Sequence, residues 1–221
     1  MTYDYTNWQP LTVDEVASLL AGLRVPWWIA GGQAIDLFVG RQTRSHGDTD
    51  VLIRRQDQLA VQTHLWAWDL HRATYPGLAH WEKGAFLTGR FRDIWCRPNA
   101  RAPWMLQLML LDTDGDQWVF KRDRTIRGPL SDLGSYSASG ICYLRPEIQL
   151  LYKAKAKTME KDQADFEVVL PLMPKASCAW LLDGLTKRFP EGHDWIQSLK
   201  RRMAQHDAAL DGNSEARHRS Q

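Results

Sequence analysis

The chain has 221 residues, 44% of them hydrophobic, which is enough for one substantial domain or two small ones with a real core. Its 28 basic and 26 acidic residues nearly balance, which excludes an overall field that would hold the protein on nucleic acid or a membrane. No apolar run approaches the ~18 residues of a membrane span, so we expect a soluble protein. The widely spaced Cys96, Cys142 and Cys178 lack metal-ligand spacing and predict reduced thiols in a cytoplasmic protein.

The first part of the chain alternates helical and strand-like patterns. A helix is predicted over residues 11–23, because Thr12 and Glu15 form a capping box before an apolar stripe. The apolar run 27–30 predicts a buried strand, since it is brief and ends at a pair of glycines. A second helix follows and ends at Gly40.

The middle of the chain predicts a strand at 48–53 and an amphipathic helix at 56–68. Three strand-like runs follow, at 84–89, 91–97 and 104–111. The last of these is expected to pair with residues 117–122, because the Asp-Gly step between them favours a hairpin turn.

The Ser/Gly-rich segment 128–140 marks the predicted boundary between an N-terminal domain, residues 1–130, and a helical C-terminal domain, residues 141–205. Helices are expected from Pro146 onwards and at 162–172, 175–188 and 194–205. Residues 206–221 are polar and predict a disordered tail.

Two aspartates one residue apart, Asp48 and Asp50, stand at the start of a predicted strand. Side chains two apart on a strand share a face, so the two carboxylates should converge. Ionised carboxylates held together repel unless a cation compensates them, and Mg²⁺ prefers carboxylates together with phosphate oxygens. Taken alone, such a pair more often caps a turn and is solvated.

Gly31 and Gly32 lie between a strand and a helix N-terminus. Free backbone N–H groups and the helix dipole make such a turn suitable for a phosphate, although any sharp strand-to-helix turn also favours glycine. Between the glycines and the aspartates, Arg44 and His46 offer cationic or hydrogen-bonding side chains beside the expected phosphate. Arg44 is equally well explained as a solvated loop charge.

The whole run WWIAGGQAIDLFVGRQTRSHGDTDVLI, residues 27–53, resembles the signature of the aminoglycoside and lincosamide nucleotidyltransferases, in the DNA polymerase β-like nucleotidyltransferase superfamily. The signature joins the glycine pair, an Ala-Ile-Asp step, a Thr-Arg-x-His step and the Asp-x-Asp pair. The resemblance implies an α+β nucleotidyltransferase fold, with a small mixed sheet flanked by helices, followed by a helical domain. It also implies that the acceptor and the nucleotide bind between the two domains.

The resemblance assigns roles to these residues. Gly31 and Gly32 would hold the triphosphate of ATP or another NTP, with Arg44 and His46 beside it. Asp48 and Asp50 would bind two Mg²⁺ ions that bridge the phosphates. A hydroxyl of the acceptor would then displace pyrophosphate in line.

Relatives of this kind usually carry a third carboxylate on a neighbouring strand, as a metal ligand or as the general base. Asp93 is our first choice for both roles, although a salt bridge with Arg92 or Arg97 explains it equally well. Asp112 is the alternative. If Gln107 occupies the third-carboxylate position, the base has been lost.

Lys155 lies at the end of the apolar stripe of the helix that begins at Pro146. The resemblance implies that a lysine of the helical domain neutralises triphosphate charge, whereas the pattern alone fits a snorkelling surface lysine. Lys153 and Lys157 lie off the stripe and are expected to be solvated.

These observations predict a magnesium-dependent nucleotidyltransferase that transfers a nucleoside monophosphate, AMP from ATP, to a hydroxyl of a small acceptor such as an aminoglycoside-like or lincosamide-like antibiotic. Two alternatives stay open. One is a nucleotidyltransferase toxin acting on tRNA or protein, supported by the local basic runs FKRDRTIR and LKRRM. The other is a catalytically degenerate nucleotide-binding regulatory protein that has lost its general base.

Overall fold

The computed structural model describes residues 5–74 and 76–218, with side chains described up to residue 208. The chain divides into two compact units, Met1–Arg145 and Pro146–Gln221. The boundary segment expected from the sequence lies just before this division. A disordered tail from residue 206 stays a prediction, but the last helix runs on to His218, and residues 219–221 lie outside the described residues.

The first unit is a mixed sheet with flanking helices. Its helices are α1 (Val13–Leu19), α2 (Gly31–Val39) and α3 (Gln58–His64). Its strands are β1 (Trp27–Ile29), β2 (Asp50–Arg54), β3 (Asp69–Thr74), β4 (Gly77–His80), β5 (Asp93–Arg97), β6 (Leu106–Asp114), β7 (Gln117–Val119), β8 (Arg127–Pro129), β9 (Gly134–Tyr136) and β10 (Cys142–Leu144).

The strands are ordered β4-β3-β5-β6-β2-β1-β10-β9, with β7 paired to β6 and β8. β2 pairs in parallel with β6, and β1 pairs in parallel with β10. The neighbouring pair β1 and β2 is antiparallel. The mixed sheet confirms the predicted α+β class, and it has more strands than the small sheet that was expected.

The centre of the sheet is apolar on both sides of the β1–β2 pair. Ile29, Val51 and Ile53 are fully buried, and α2 contributes the fully buried Ala34 and Ile35. Burying such side chains stabilises by roughly 1.5–3 kcal/mol each for the larger ones. The packing therefore fixes the end of β1 and the start of β2 next to each other.

The first helix begins as predicted and is shorter than predicted. Thr12 is its N-cap, and Glu15 N–H donates to Thr12 Oγ1 at 3.2 Å. The Glu15 carboxylate accepts the Thr12 N–H at 2.8 Å, which completes the capping box. The helix ends at Leu19, before Gly22, which has a φ of +79°.

The region between α3 and β5 differs from the sequence-based expectation. The predicted helix 56–68 is a shorter α-helix that ends at His64, after a 3-10 turn at Arg55–Asp57. β3 and β4, which the sequence pattern did not predict, follow it and pair antiparallel. Their side chains mix charged, polar and apolar residues without a clean alternation, which hides the period of two on which strand recognition depends.

The predicted strand 84–89 is wrong, because these residues form no strand in the structure. The N–H groups of Gly84 and Leu87 donate to side-chain oxygens of Gln62 and Gln58, each at 2.7 Å. Two glutamine side chains thus satisfy backbone groups that a neighbouring strand would otherwise pair.

The second unit is helical, as predicted. Its helices are α4 (Pro146–Lys153), α5 (Glu160–Val169), α6 (Lys175–Arg188) and α7 (Trp195–His218). Phe166 stacks on Trp195 with ring centroids 4.4 Å apart, and Trp195 Nε1 donates to Gln163 Oε1 at 2.8 Å. The contact joins α5 to the start of α7.

Two further observations concern the described residues. All three cysteines are free thiols, so no disulfide supports the fold. Across the described residues, no helix combines the length and the apolar composition that crossing a membrane requires.

Candidate functional site

The turn from β1 into α2 meets the start of β2 at Gly31. Gly31 has a φ of +66°, a left-handed conformation that side chains disfavour. A Cβ atom at this position would also overlap the carboxylate of Asp50. Glycine is therefore required for two independent reasons, and the close approach joins the glycine turn to the Asp-x-Asp pair.

The next residue, Gly32, lies beneath the two basic side chains of the following loop. A Cβ atom there would overlap the His46 ring and would lie 2.8 Å from Arg44 Nη2. The structure thus brings the predicted residues Gly31, Gly32, Arg44 and His46 together with Asp50. Backbone at a helix N-terminus beside cationic groups is an arrangement that suits an anion.

Asp36 of α2 holds this loop in place. Asp36 Oδ2 lies 2.6 Å from His46 Nε2, and Asp36 Oδ1 accepts the N–H and the hydroxyl of Thr43 at 2.9 and 2.6 Å. Both side chains of the Asp36–His46 pair are almost wholly buried. We did not select Asp36 or Thr43 from the sequence, although both stand at anchor positions of the signature, which was the signal available.

Asp48 and Asp50 flank a buried threonine. Thr49 is fully buried, and its hydroxyl donates to the carbonyl of Leu11 at 2.6 Å. Asp48 is exposed and lies before β2, whereas Asp50 is half-buried and is the first residue of β2. That the two carboxylates converge stays a prediction.

Gln107, not Asp93, occupies the position beside Asp50. β6 is the strand next to β2, and Gln107 is the residue directly opposite Asp50. Asp93 lies one strand further away, on β5, opposite Met109. Residues directly opposite each other share a sheet face, and so do residues two apart on one strand. Asp50 is opposite Gln107, and Asp93 is opposite Met109, two residues along β6 from Gln107. Asp50, Gln107 and Asp93 therefore lie on the same face.

Gln107 also contacts Asp93 through its side chain. Its amide Nε2 lies 3.5 Å from Asp93 Oδ1, at the long end of hydrogen-bond distance. The salt bridges considered for Asp93 are not formed, because Arg92 pairs with Asp112 and Arg97 pairs with Asp69. The Asp93 carboxylate is thus directed towards Gln107.

Asp112, the alternative third carboxylate, has a structural role. Its two oxygens accept hydrogen bonds from Arg55 Nε at 2.6 Å and Arg92 Nη1 at 2.7 Å. Burial alone would raise the pKa of Asp112, but the two guanidinium groups outweigh it and hold the pKa below the usual range. A carboxylate so neutralised is a poor proton acceptor, and Asp93 as the general base stays a prediction.

The negative charges of Asp93 and Asp50 act on Lys121, a residue that the sequence analysis did not identify as part of the site. Burial lowers the pKa of the Lys121 ammonium below its usual range, and the negative charges of Asp93 and Asp50 oppose that shift. The available signal was the basic run after β7, which we interpreted as a nucleic-acid contact. The structure places this lysine in the field of the aspartates instead.

In the second unit, the lysines are arranged differently from the prediction. α4 ends at Lys153, so Lys155 lies beyond the helix, where its Nζ is 3.1 Å from Asp162 Oδ2. Lys153 was expected to be solvated and is instead buried, with its Nζ 2.7 Å from Asp165 Oδ2. Lys157 is exposed as predicted. A nucleotide-binding role for Lys155 stays a prediction.

Asp48 and Asp50 have the ligand chemistry that a divalent cation prefers, since both are carboxylates one residue apart, and their role as metal ligands stays a prediction. Asp93 does not join them in one cluster. Within the described residues, three metal-capable side chains approach to within 4.8 Å only at Asp69, His71 and His80. Asp93 as a metal ligand therefore stays a prediction.

Alanine at Gly31 is expected to destabilise the protein by more than the ordinary cost of a left-handed residue. That cost is roughly 1–2 kcal/mol, and overlap with the Asp50 carboxylate adds to it. Gly22 is a matched control, because its φ of +79° is similar and a Cβ there would meet nothing within 4 Å. Urea unfolding of the Gly31→Ala and Gly22→Ala variants measures the difference. Equal losses would show that the contact with Asp50 carries no strain.

Comparison with known proteins finds one matching family and several similar structures. The aminoglycoside-2″-adenylyltransferase family matches residues 12–74, which include the glycine turn and the aspartate pair. No curated protein gives a significant match to the sequence. Two solved structures share the fold. One is the lincosamide antibiotic adenylyltransferase LnuA with lincomycin bound, at 17% identity and a TM-score of 0.51, with 73% of this chain and 98% of that chain covered.

The other is ANT(2″)-Ia in complex with adenylyl-2″-tobramycin, at 13% identity and a TM-score of 0.51, with 79% of this chain and 97% of that chain covered. The family match covers the segment that carries the site, whereas the structural similarity extends over most of the chain. The chain has the nucleotidyltransferase fold, and its site-bearing segment is similar to the aminoglycoside-2″-adenylyltransferases, which together indicate a nucleotidyltransferase enzyme.

Proposed function

We propose that the protein transfers a nucleoside monophosphate, AMP from ATP, to a hydroxyl of a small antibiotic-like acceptor in a magnesium-dependent reaction. The observation that carries this proposal is the contact between the Gly31 backbone and the Asp50 carboxylate. It brings the proposed phosphate-binding turn next to Asp50, one of the two proposed metal ligands. Triphosphate and metal would have to be adjacent for transfer at the α-phosphorus.

Different residues of the first unit would bind different parts of the nucleotide triphosphate. The N-terminal backbone of α2, at Gly31 and Gly32, would receive triphosphate oxygens. Arg44 and His46 would add positive charge or hydrogen bonds above Gly32, with the His46 ring held by Asp36 at 2.6 Å. Because this loop is fixed before substrate arrives, binding loses less entropy.

Asp48 and Asp50 would hold Mg²⁺ ions, which when bound supply charge stabilisation to the phosphates and to the attacking and leaving oxygens. The acceptor hydroxyl oxygen would form the new bond to the α-phosphorus as the bond to the pyrophosphate oxygen breaks. The Asp93 carboxylate would take the hydroxyl proton, oriented by the Gln107 amide 3.5 Å away. Lys121 would balance the negative charge of Asp50 and Asp93.

Two buried acidic residues of the second unit are already paired. Asp162 and Asp165 are neutralised within the unit by Lys153. Lys155 also pairs with Asp162, at 3.1 Å. These two carboxylates therefore do not favour a polycationic aminoglycoside over a lincosamide-like acceptor, and both acceptor classes belong in the test.

The direct test is transfer of label. The purified protein is incubated with α-labelled ATP, GTP, CTP or UTP and Mg²⁺, together with lincosamides, aminoglycosides or tRNA. We expect labelled AMP on a small hydroxyl-bearing acceptor, and release of pyrophosphate in equal amount. Label on tRNA or on protein would instead support the toxin alternative.

A second candidate function is magnesium-dependent nucleotide binding without transfer. The observation that favours it is Gln107, a residue that cannot accept a proton as a carboxylate does, directly opposite Asp50. Nucleotide binding that needs Mg²⁺, with no transfer to any acceptor class, would support this regulatory function. Absence of both binding and transfer would contradict both candidates.

A further inference from the structure

A cluster of one aspartate and two histidines lies at the β4 edge of the sheet, away from the candidate nucleotide site. Asp69 and His71 are two residues apart on β3 and therefore share a face. His80 on β4 is directly opposite His71. In the described part of the chain, these three residues are the group of potential metal ligands whose donor atoms all lie within 4.8 Å of one another.

The donor atoms are close to the spacing that a metal ion needs. His71 Nε2 is 2.8 Å from Asp69 Oδ1, and His80 Nδ1 is 3.6 Å from the same oxygen. Ligands of a tetrahedral Zn²⁺, with bonds of about 2.0–2.1 Å, are roughly 3.3 Å apart. The three donor atoms lie within 4.8 Å of one another, so side-chain adjustments without a backbone rearrangement would bring them to this spacing.

Arg97 and Trp104 hold Asp69 and His71 in position on the buried side of the cluster. Arg97 Nε donates to Asp69 Oδ2 at 2.7 Å, which leaves Oδ1 facing the two imidazoles. The Arg97 guanidinium in turn lies 4.2 Å from the ring centroid of Trp104, and the His71 ring packs edge-on to Trp104 at 5.3 Å. Such outer contacts orient metal ligands and tune their affinity.

The front of the cluster is open to solvent. The His71 side chain is 4% exposed and the Asp69 side chain 18%, whereas the His80 side chain is 48% exposed. An ion can therefore reach the cluster past His80 and retain water in its remaining position. Two imidazoles, one carboxylate and an open position match the donor set of zinc sites with three protein ligands.

We propose that Asp69, His71 and His80 form a binding site for a divalent transition-metal ion of the zinc type. This site is separate from the Mg²⁺ site of the proposed function. Across the sheet, His71 is opposite Trp95, Trp95 is opposite Gln107, and Gln107 is opposite Asp50. Three strand spacings of about 4.8 Å place His71 roughly 14 Å from Asp50.

The bound ion would hold β4 against β3. β4 is the terminal strand in the sheet order and pairs only with β3 among the described strands. Its four residues are half-buried or exposed, so little apolar burial holds it. A ligand from each strand would link the edge through a coordinate bond and raise the thermal stability of the folded unit.

The test is zinc binding by the full chain without a polyhistidine tag, measured by titration calorimetry in the absence of nucleotide. We expect one Zn²⁺ per chain, and a visible Co²⁺ spectrum of a low-coordinate nitrogen and oxygen site when Co²⁺ replaces Zn²⁺. His80→Ala should weaken zinc binding by at least about 10- to 100-fold, the range found when a partner of a metal site is removed. Zn²⁺ should raise the unfolding temperature of the wild type and not that of His80→Ala.

Two controls make the outcome decisive. His64→Ala removes a histidine of the same unit whose Nε2 lies 2.8 Å from the Leu19 carbonyl, outside the cluster, and should bind zinc as the wild type does. The Asp48→Asn, Asp50→Asn double variant should also keep the zinc site. Loss of zinc in that double variant, or zinc binding unchanged in folded His80→Ala and Asp69→Asn, overturns the proposal. Absence of zinc binding by the folded wild type overturns it as well.

Discussion

Replacing Asp50 with asparagine is expected to lower the rate of nucleotidyl transfer by about 10²–10³-fold, a loss of roughly 3–4 kcal/mol in transition-state stabilisation. Asparagine has nearly the same shape as aspartate, so the close contact with the Gly31 backbone is retained. What is lost is the charge that binds Mg²⁺ and, through it, the reacting phosphates. The measurement is kcat/KM with α-labelled ATP, over a range of Mg²⁺ concentrations.

A matched control removes a carboxylate from the 3-10 turn that follows the same strand. Asp57 pairs with Arg54 at 2.5 Å and should cost little activity when changed to asparagine. Asp48→Asn should behave like Asp50→Asn. Transfer that persists in the Asp48→Asn, Asp50→Asn double variant would eliminate the aspartate pair as the metal site.

The elements predicted correctly are those whose signals are local. The capping box of Thr12 and Glu15 needs three residues of spacing, and it forms as expected. The Asp-Gly step ends β6 at a turn where Gly115 has a φ of +56°, and β7 pairs back on β6. Gly40 caps α2 in the left-handed conformation for the same reason. These preferences depend on residues within one turn of the chain, so they can be recognised from the sequence without knowledge of the fold.

The errors lie where distant residues decide the structure. Residues 84–89 have the composition of a strand, but two of their backbone N–H groups donate to Gln62 and Gln58 of α3, which lie 22 and 29 residues earlier. Nothing in the local pattern reveals those two hydrogen bonds. β3 and β4 fail to be predicted for the converse reason, because the sheet supplies their pairing partners while their own alternation is weak.

The same distinction applies to the site. Gly31, Gly32, Arg44, His46 and the aspartate pair fall within one run of 27 residues, so the signature groups them before any fold is known. The third carboxylate requires the strand order, which the sequence leaves open. Only the pairing of β2 with β6 reveals that Gln107 is the residue facing Asp50, and that Asp93 is a further strand away.

Asp93→Asn is expected to lower kcat by about 10²–10⁴-fold with little change in nucleotide affinity, as removal of a general base should. Asparagine can still contact the Gln107 amide, whose nitrogen lies 3.5 Å from the present carboxylate, so the local packing is retained. Single-turnover transfer and nucleotide titration measure the two quantities separately. A rate unchanged by Asp93→Asn removes this residue from the mechanism.

The Gln107→Asp variant distinguishes an enzyme whose general base is Asp93, on β5, from a protein that has no general base. If Asp93 is the base, the wild type is active and Gln107→Asp alone raises the transfer rate little. In the Asp93→Asn background, Gln107→Asp then restores part of the rate, because it places a carboxylate opposite Asp50. If the base has been lost, the wild type binds nucleotide without transfer, and Gln107→Asp creates activity. Gln107→Asn, which changes length without adding charge, controls for packing. Both outcomes are read at one position, because the register of β6 against β2 makes Gln107 the residue directly opposite Asp50.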